Sequence, residues 1–233
     1  MAAKPKRFYK EATVEPTPAG FEVRLDGRVL KTVGRKPLVL SAEMLARMVA
    51  EEWQAQQEAI DAERMPATRL ANIALDRVPL EREAILADMM LYADTDLLCH
   101  RAREEELRQQ QMEHWDPVVA YIEEAHGIRM VVTTGVVPVP QPAASLAQIR
   151  EMLGKASDEQ FAALAMLVPL LGSILLTLAL WQKGITLDAA LSACRVDEAY
   201  QQARWGRDEE ADSMWQAKLR DMQACARWLT ASS

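Results

Sequence analysis

The sequence predicts an α+β protein, with a small antiparallel β-rich N-terminal domain followed by a larger all-helical C-terminal domain. Between residues 7 and 40, apolar and polar residues alternate at the two-residue period of a strand. From Ser41 onward the apolar residues recur every three to four positions, which is the period of a helix buried on one face. We therefore divide the chain into a β-rich domain at 1–65, which ends in one helix, and a helical domain at 66–233.

The strongest local signal in the β region is Asp26-Gly27, which lies between the segments FEVRL and RVLKT. An Asp-Gly pair favours the two-residue turn of a hairpin, because both residues tolerate positive φ. A second turn is predicted from Pro18 to Gly20. These turns separate three or four short antiparallel strands, which are too few to be stable without packing against other elements.

The helical region is predicted to begin with a helix capped by the Ser41 side chain. Pro66 begins a second helix, which ends at Pro79. Within a later helix, Asp116 is predicted to cap a new segment that begins at Pro117. Further helices fit residues 80–100, 104–126, 143–154, 158–182, 186–205 and 208–230, with an extended connection at 127–142. The buried face of the last helix is predicted to comprise Ala211, Met214, Trp215, Lys218, Leu219, Met222 and Ala226.

Composition limits the classes of function. Half of the 233 residues are hydrophobic and 26% are charged, which is typical of a globular protein with a substantial core. The net charge of −7 argues against nucleic acid as a partner, because a phosphate backbone requires a dense basic face. The three cysteines lack metal-ligand spacing and are interpreted as buried reduced thiols. Because the first residues lack the apolar core of a secretory signal, we expect a cytoplasmic protein, or a mitochondrial matrix protein in a processed eukaryotic form.

Residues 161–181 carry no charge, and as one helix they would extend about 31 Å, the thickness of a bilayer core. Pro169 and the pair Gly172-Ser173 interrupt this run, and neither flank is strongly basic. We interpret the run as a helix buried among other helices, with a close helix crossing at Gly172-Ser173. The sequence therefore predicts no stable membrane insertion.

No arrangement of residues predicts catalytic or metal chemistry. The three histidines, at positions 100, 114 and 126, are too far apart for a local metal clamp. Asp94 and Asp96 diverge if both lie on a helix, so they are interpreted as solvated or capping acids. The sequence also lacks a glycine-rich phosphate loop and a nucleophile motif. We predict no catalytic residue, no metal and no cofactor.

One acid stands out on the predicted helix 186–205. At about 100° per residue, one narrow sector of this helix contains Leu187, Leu191, Cys194, Glu198 and Trp205. A carboxylate within an apolar stripe requires an ion pair, or a cleft in which a partner meets it. Glu198 is therefore either paired with Arg195 or another arginine, or part of a groove beside Trp205 and the acidic turn Asp208-Glu209-Glu210. A third alternative is a catalytic acid that converges with Asp94 or Asp96.

Eight segments then carry a resemblance to a known family. They occur in the order RFYK, LDGRVLKT, EEWQAQ, MPATRLANIALDRV, DTDLLCHR, QQQMEHWDP, GSILLTLAL and RVDEAYQQARWGRDEE. Together they resemble the assembly chaperone family for the α subunit of the F-type ATP synthase, over residues 7 to 212. The sequence departs from the family pattern at Val33, where proline is expected, at His100, where an aromatic is usual, and at Tyr200, where tryptophan is common.

The resemblance implies a non-enzymatic protein that holds the newly made α subunit until it meets a β subunit. It also implies a β-rich N-terminal and a helical C-terminal domain, and it points to Glu198 as the functional acid. We expect a monomer whose partner-binding residues are Glu198, Asp197, Arg195, Gln201, Trp205, Asp208 and Glu209. The alternatives are an enzyme with a carboxylate-lined cleft around Glu198 and a membrane-associated helical protein.

Overall fold

The structure is a computed structural model that describes residues 4–135, 137–206 and 209–232, without the side chains of residues 209–211. The described residues form two units. The first unit comprises the chain up to Arg82, Ser157–Ala163 and the chain from Arg227, and the second comprises Glu83–Ala156 and Leu164–Ala226. The sequence-based division between residues 65 and 66 stays a prediction. The predicted fold class is confirmed, because a small antiparallel sheet precedes a series of helices.

The sheet of the first unit is built around its second strand. The strands are β1 (Ala12–Thr17), β2 (Gly20–Leu25), β3 (Arg28–Val29) and β4 (Val39–Leu40). β2 pairs antiparallel with each of the other three strands. The predicted hairpin at Asp26-Gly27 is confirmed, with φ of 47° and 76° at the two residues. Positive φ at both positions is the signature of the two-residue turn whose twist matches that of the flanking strands.

The turn between β1 and β2 is also found where it was predicted. Gly20 ends it with φ of 134° and pairs with Thr17 across the hairpin. A Cβ at this position would lie 2.3 Å from the carbonyl oxygen of Leu40. Glycine is therefore required here both by the backbone conformation and by the close approach of β4.

Helix α1 (Glu43–Gln54) packs against this sheet and buries Leu45 and Val49. The prediction that Ser41 caps α1 is wrong. Ala42 occupies the cap position and makes no side-chain cap bond. Instead, the Ser41 backbone N–H donates to Glu159 Oε1 at 2.8 Å, and the Ser41 hydroxyl donates to the same carboxylate. Ser41 therefore binds the Glu159 carboxylate instead of capping α1. The residues around Ser41 in the sequence do not indicate this distant partner.

The predicted helix break at Pro79 is also wrong. Helix α2 (Pro66–Asn72) continues through a π-helical turn (Ile73–Arg77) into α3 (Val78–Asp94). Pro79 follows the turn, where the bonding pattern has already departed from the α-helical one, so a residue without an N–H is accommodated. The Lys36 ammonium donates at 2.7 Å to the Leu75 carbonyl, which an α-helical N–H at position 79 would have used.

The second unit is mainly helical. Its helices include α4 (Glu105–His126), α5 (Ala143–Gly154), α7 (Ile174–Trp181), α8 (Leu187–Cys194) and α9 (Val196–Trp205). Helices α6 (Asp158–Leu171) and α10 (Glu209–Ala231) contribute residues to both units. The short strands β5 (His100–Arg101) and β6 (Thr133–Thr134) pair in parallel, and β6 lies within the predicted extended connection.

Helix α4 corrects two predictions. It runs without interruption past Pro117, which therefore begins no new segment. Asp116 caps no helix, because its carboxylate accepts a hydrogen bond from the buried Arg101 guanidinium at 2.6 Å. The same guanidinium lies 5.0 Å from the centre of the Trp115 ring. The proline is tolerated because burial of Trp115 and Val118 stabilises the helix on both sides of it.

The long apolar run is two helices rather than one. Gly172, with φ of 67°, follows α6, and Ser173 caps α7 by accepting a hydrogen bond from the Leu176 N–H at 3.0 Å. Among the described residues, no helix is both long enough and apolar enough to cross a membrane. Asp96 is a capping acid as predicted, since it accepts from the Leu98 N–H at 2.9 Å. It is not solvated, because it is fully buried.

Candidate functional site

The helix that carries Glu198 is interrupted before that residue. Thr186 caps α8 by accepting from the Ala189 N–H at 3.2 Å, and the helix ends at Cys194. Arg195 has φ of −113° and ψ of 6°, which are not helical values. A separate helix, α9, therefore begins at Val196, and its faces are not continuous with those of α8. The prediction of one helix over 186–205 is therefore wrong, and so is the apolar stripe that ran through Glu198. In α9 it is Val196 and Tyr200 that are buried.

Glu198 forms the ion pair that was one of the alternatives. Its Oε2 lies 3.2 Å from Arg195 Nε, one helical turn earlier, and its side chain is 57% exposed. The Arg195 guanidinium in turn lies 4.1 Å from the centre of the Trp215 ring. An exposed ion pair of this kind contributes about 0–1 kcal/mol to stability. Glu198 is therefore exposed and held only weakly.

An open groove of about 370 Å³ lies beside this ion pair. We call it the α9–α10 groove, and it is lined by Glu198, Gln201, Gln202, Trp205, Gly206, Met214, Trp215 and Lys218. Two of its apolar side chains are strongly exposed, Trp205 at 76% and Met214 at 59%. Among its described lining residues, the groove thus combines apolar surface with one acid, Glu198, and one base, Lys218. The structure brings together Glu198, Gln201 and Trp205 from the predicted set, with Arg195 supporting them.

The groove corrects the predicted buried face of the last helix. Met222 is buried as expected, but Met214 and Lys218 are exposed and Trp215 is only half-buried. The first described turns of α10 therefore present their apolar side chains to the groove. Sequence reasoning missed Met214 and Lys218 as lining residues. The signal was a lysine within an apolar stripe, which favours a surface-facing position.

The remaining predicted residues have other positions. Asp197 is half-buried and accepts a hydrogen bond at 2.7 Å from the Gln111 amide, so it anchors α9 and does not line the groove. The buried Gln111 is fixed in turn, because its Oε1 accepts from the Ala102 N–H at 2.7 Å. Asp208 and the side chain of Glu209 lie outside the described residues.

The Cys194 thiol, whose pKa is affected by Glu198, is not activated as a nucleophile. Burial, together with the charge of Glu198, raises the pKa of the Cys194 thiol to about 11, so this cysteine stays protonated. Within the part of the chain that the structure describes, no cluster of three His, Cys, Asp or Glu side chains could hold a metal ion. Neither Asp94 nor Asp96 is among the described residues that line the groove, so the convergence that the enzyme alternative requires is not found there.

Comparison with known proteins identifies the class. A family model described as ATP12 chaperone protein matches residues 6–123, just over half of the chain. The mitochondrial protein atp12 of Schizosaccharomyces pombe is 24% identical, over 97% of this chain and 82% of its own length. Among solved structures, Atp12 from Paracoccus denitrificans is 37% identical with a TM-score of 0.91, over 98% of this chain and 99% of that chain.

A second solved structure, the Atu1473 protein from Agrobacterium tumefaciens, is described as a putative chaperone. It is 35% identical with a TM-score of 0.94, over 98% of this chain and 87% of that chain. Fold and sequence thus define a chaperone that is related to mitochondrial and bacterial proteins. The chain belongs to the ATP12 chaperone family, which assists assembly of the F1 ATP synthase.

Proposed function

We propose that this protein binds the free α subunit of the F-type ATP synthase and shields its β-facing surface until a β subunit replaces it. Membership of an ATP synthase assembly family supports a synthase subunit as the partner. The single observation that carries the proposal is the α9–α10 groove, in which exposed apolar side chains lie beside an exposed acid.

The apolar part of the groove suits a temporary cover. A subunit surface that is normally buried in an oligomer is apolar and aggregates when it is exposed. Trp205 and Met214 already present large apolar side chains to solvent, where such a surface can contact them. Aromatic residues of this kind are enriched among those that dominate binding energy. A small groove also permits release, whereas a large dry interface would not.

The polar part of the groove provides selectivity. The ion pair between Glu198 and Arg195 is exposed and therefore weak. A basic group of the α subunit can replace Arg195 as the partner of Glu198 with little loss of stability. Gln201 lies on the same helix and lines the groove, and Asp208 and Glu209 complete the proposed contact set along the chain. Asp197 contributes to binding indirectly, by anchoring this helix to Gln111. Lys218 lies among the groove residues and repels basic groups that are misplaced. We further propose that the protein acts as a monomer, in the bacterial cytoplasm or in the matrix for a processed mitochondrial form.

The proposal is tested by expressing the α subunit alone and together with this protein, followed by size-exclusion chromatography. We expect the wild-type protein to keep α soluble in a joint peak, and Glu198→Gln to keep its fold but lose that peak. The matched control is Glu151→Gln, which removes another exposed acid that is paired on its own helix, with Lys155 at 2.7 Å.

The possible outcomes separate the alternatives. If α aggregates regardless of the wild-type protein, the α subunit is the wrong client. If Glu198→Gln forms the joint peak as well as the control does, the assignment of Glu198 is wrong. If Glu198→Gln unfolds, the acid has only the structural role of an ion pair.

A further inference from the structure

We infer that the first unit contains a second polypeptide-binding groove. It binds a segment of another polypeptide in which acidic residues lie next to bulky apolar ones. This groove, the turn groove, has a volume of about 770 Å³. One wall is the turn at 30–34, and the other is the helical segment from Thr68 to Arg77. The inference goes beyond the proposed function, because it depends neither on Glu198 nor on the identity of the α subunit.

The floor of the turn groove is apolar. Trp53, Ile60, Met65 and Ile73 contribute to its lining, and only Met65 of these four is fully buried. Among the described residues, the Trp53 indole N–H has no acceptor. Apolar side chains that remain partly exposed within a concave surface gain stability when another apolar group covers them. The floor therefore favours an occupant with bulky apolar side chains.

The wall formed by the turn is fixed and presents an apolar tip. Val33 is 85% exposed, yet its backbone N–H donates to Asn72 Oδ1 at 2.9 Å. The next N–H, of Gly34, donates to Asp76 Oδ2 at 2.7 Å, and the Thr32 hydroxyl donates to Asp76 Oδ1 at 2.9 Å. A Cβ on Gly34 would lie 2.6 Å from the same carboxylate. The valine side chain is thus kept exposed by a turn that is hydrogen-bonded to the π-helical segment. Such π-helical turns are often found at functional sites.

The rim of the turn groove is basic, although the whole chain has a net charge of −7. Lys31, Arg69 and Arg77 line it. Asp76 is the only acid among the described lining residues, and both of its oxygens accept hydrogen bonds from the turn. Arg77 also pairs with Glu81 at 2.7 Å, but that pair is exposed and contributes little. A partner with carboxylates near its apolar side chains complements this rim.

The occupant is therefore a stretch of another polypeptide in which leucine-like side chains alternate with aspartate or glutamate. The turn groove thus prefers acidic partners, whereas the α9–α10 groove is proposed to bind a basic group through Glu198. None of the described lining residues belongs to both grooves. One client can therefore present an acidic segment to the first unit and a basic one to the second, or two clients can use one groove each.

The test uses two fluorescein-labelled probe peptides, one composed of leucine, alanine and glutamate, and a twin in which lysine replaces every glutamate. We measure binding by fluorescence anisotropy, and expect the acidic peptide to bind the turn groove, with weaker binding at higher salt. The lysine twin suits the acid of the α9–α10 groove instead, so its binding should not depend on Val33. Val33→Glu places a carboxylate at the tip and lowers the affinity for the acidic peptide about tenfold. The matched control is Leu91→Glu, an exposed leucine on α3 in the second unit.

A second variant keeps the inference testable if Val33→Glu perturbs the turn. Lys31→Glu alters an exposed rim residue and should reduce the preference for the acidic peptide. Absence of acidic-peptide binding, or acidic-peptide binding that neither Val33→Glu nor Lys31→Glu weakens, overturns the inference. So does loss of acidic-peptide binding in Glu198→Gln together with its retention in Val33→Glu. Because Glu198→Gln is expected to leave binding of the acidic peptide unchanged, failure of this inference and failure of the proposed function give different results.

Discussion

The Ser173 hydroxyl donates a hydrogen bond of 2.8 Å to Asp96 Oδ1, and both residues are fully buried although they are 77 positions apart. Asp96 Oδ2 accepts the N–H groups of Ile174 at 2.7 Å and Leu175 at 3.1 Å. The Asp96 carboxylate therefore accepts hydrogen bonds from backbone N–H groups at the start of α7, which have no partner within that helix. It also accepts one from the Leu98 N–H, in the turn after α3. These bonds offset the cost of burying a charge.

We predict that Asp96→Asn lowers the free energy of unfolding by about 1–3 kcal/mol. An amide has one acceptor oxygen, so its NH₂ group must face donors in either orientation. Urea denaturation measures the change, with Asp94→Asn as a control, since Asp94 is an exposed neighbour of the same chemistry. Equal midpoints for the two variants would show that the carboxylate contributes nothing specific.

The same carboxylate predicts a pH dependence. Burial raises the pKa of Asp96 from 3.8 to about 6, against the opposing effect of its hydrogen bonds. The folded state then holds the proton more tightly than the unfolded chain, so protonation stabilises the protein. The stability of the wild type relative to Asp96→Asn should fall by up to roughly 3 kcal/mol as the pH rises from about 4 through about 6, and become constant at about 7.

This pH dependence is measured as the difference in unfolding free energy between the two proteins at a series of pH values. The neighbouring Cys99 thiol does not titrate in this range, because burial raises its pKa to about 12. A difference that grows as the pH rises would mean that the folded state lowers the pKa of Asp96 instead.

Gly184→Ala should destabilise the second unit, by about 1–3 kcal/mol. A Cβ at Gly184 would lie 2.0 Å from Tyr121 Cε1. The tyrosine cannot easily move away, because its hydroxyl donates to the Gln182 carbonyl at 3.2 Å and its ring lies 5.7 Å from that of His126. Thermal denaturation is the measurement.

The control for that variant is Gly154→Ala at the end of α5. A Cβ there meets nothing within 4 Å in the described part of the chain, so we expect no loss and a gain of up to about 1 kcal/mol. If both alanine variants melt alike, contact with the tyrosine ring does not limit position 184.

Trp205→Ala separates binding from stability in the α9–α10 groove. Because the side chain is 76% exposed, the free energy of unfolding should change by no more than about 0.5 kcal/mol. Affinity for the α subunit should fall about tenfold or more. Phe8→Ala, which removes another strongly exposed aromatic, is the control in the same binding assay. Wild-type affinity in Trp205→Ala would remove the tryptophan from the proposed contact set.

Local signals predicted much of the fold, and tertiary partners account for most of the errors. The Asp26-Gly27 turn is encoded by the two residues themselves, so it was predictable. Whether Ser41 caps its own helix depends on Glu159, which is 118 positions away. Asp116 likewise bonds Arg101 instead of capping a helix. Periodicity identifies a helix but does not reveal which distant group satisfies its polar residues.

The candidate site was located partly for the wrong reason. Glu198 was selected because it interrupted an apolar stripe on one predicted helix. That stripe does not exist, because the helix is broken at Arg195 and the two parts do not share a continuous face. The expected groove beside Trp205 is present all the same. The contribution of Met214 and Lys218 was missed because the whole stripe on the last helix was taken as buried, although it contains a lysine.

The first unit also constrains the order of events during synthesis. Its core includes Phe161 and Trp228, and the Trp228 indole donates at 3.0 Å to the Glu159 carbonyl. A ribosome must therefore translate as far as residue 228 before the core of this unit, whose sheet is made first, can be completed.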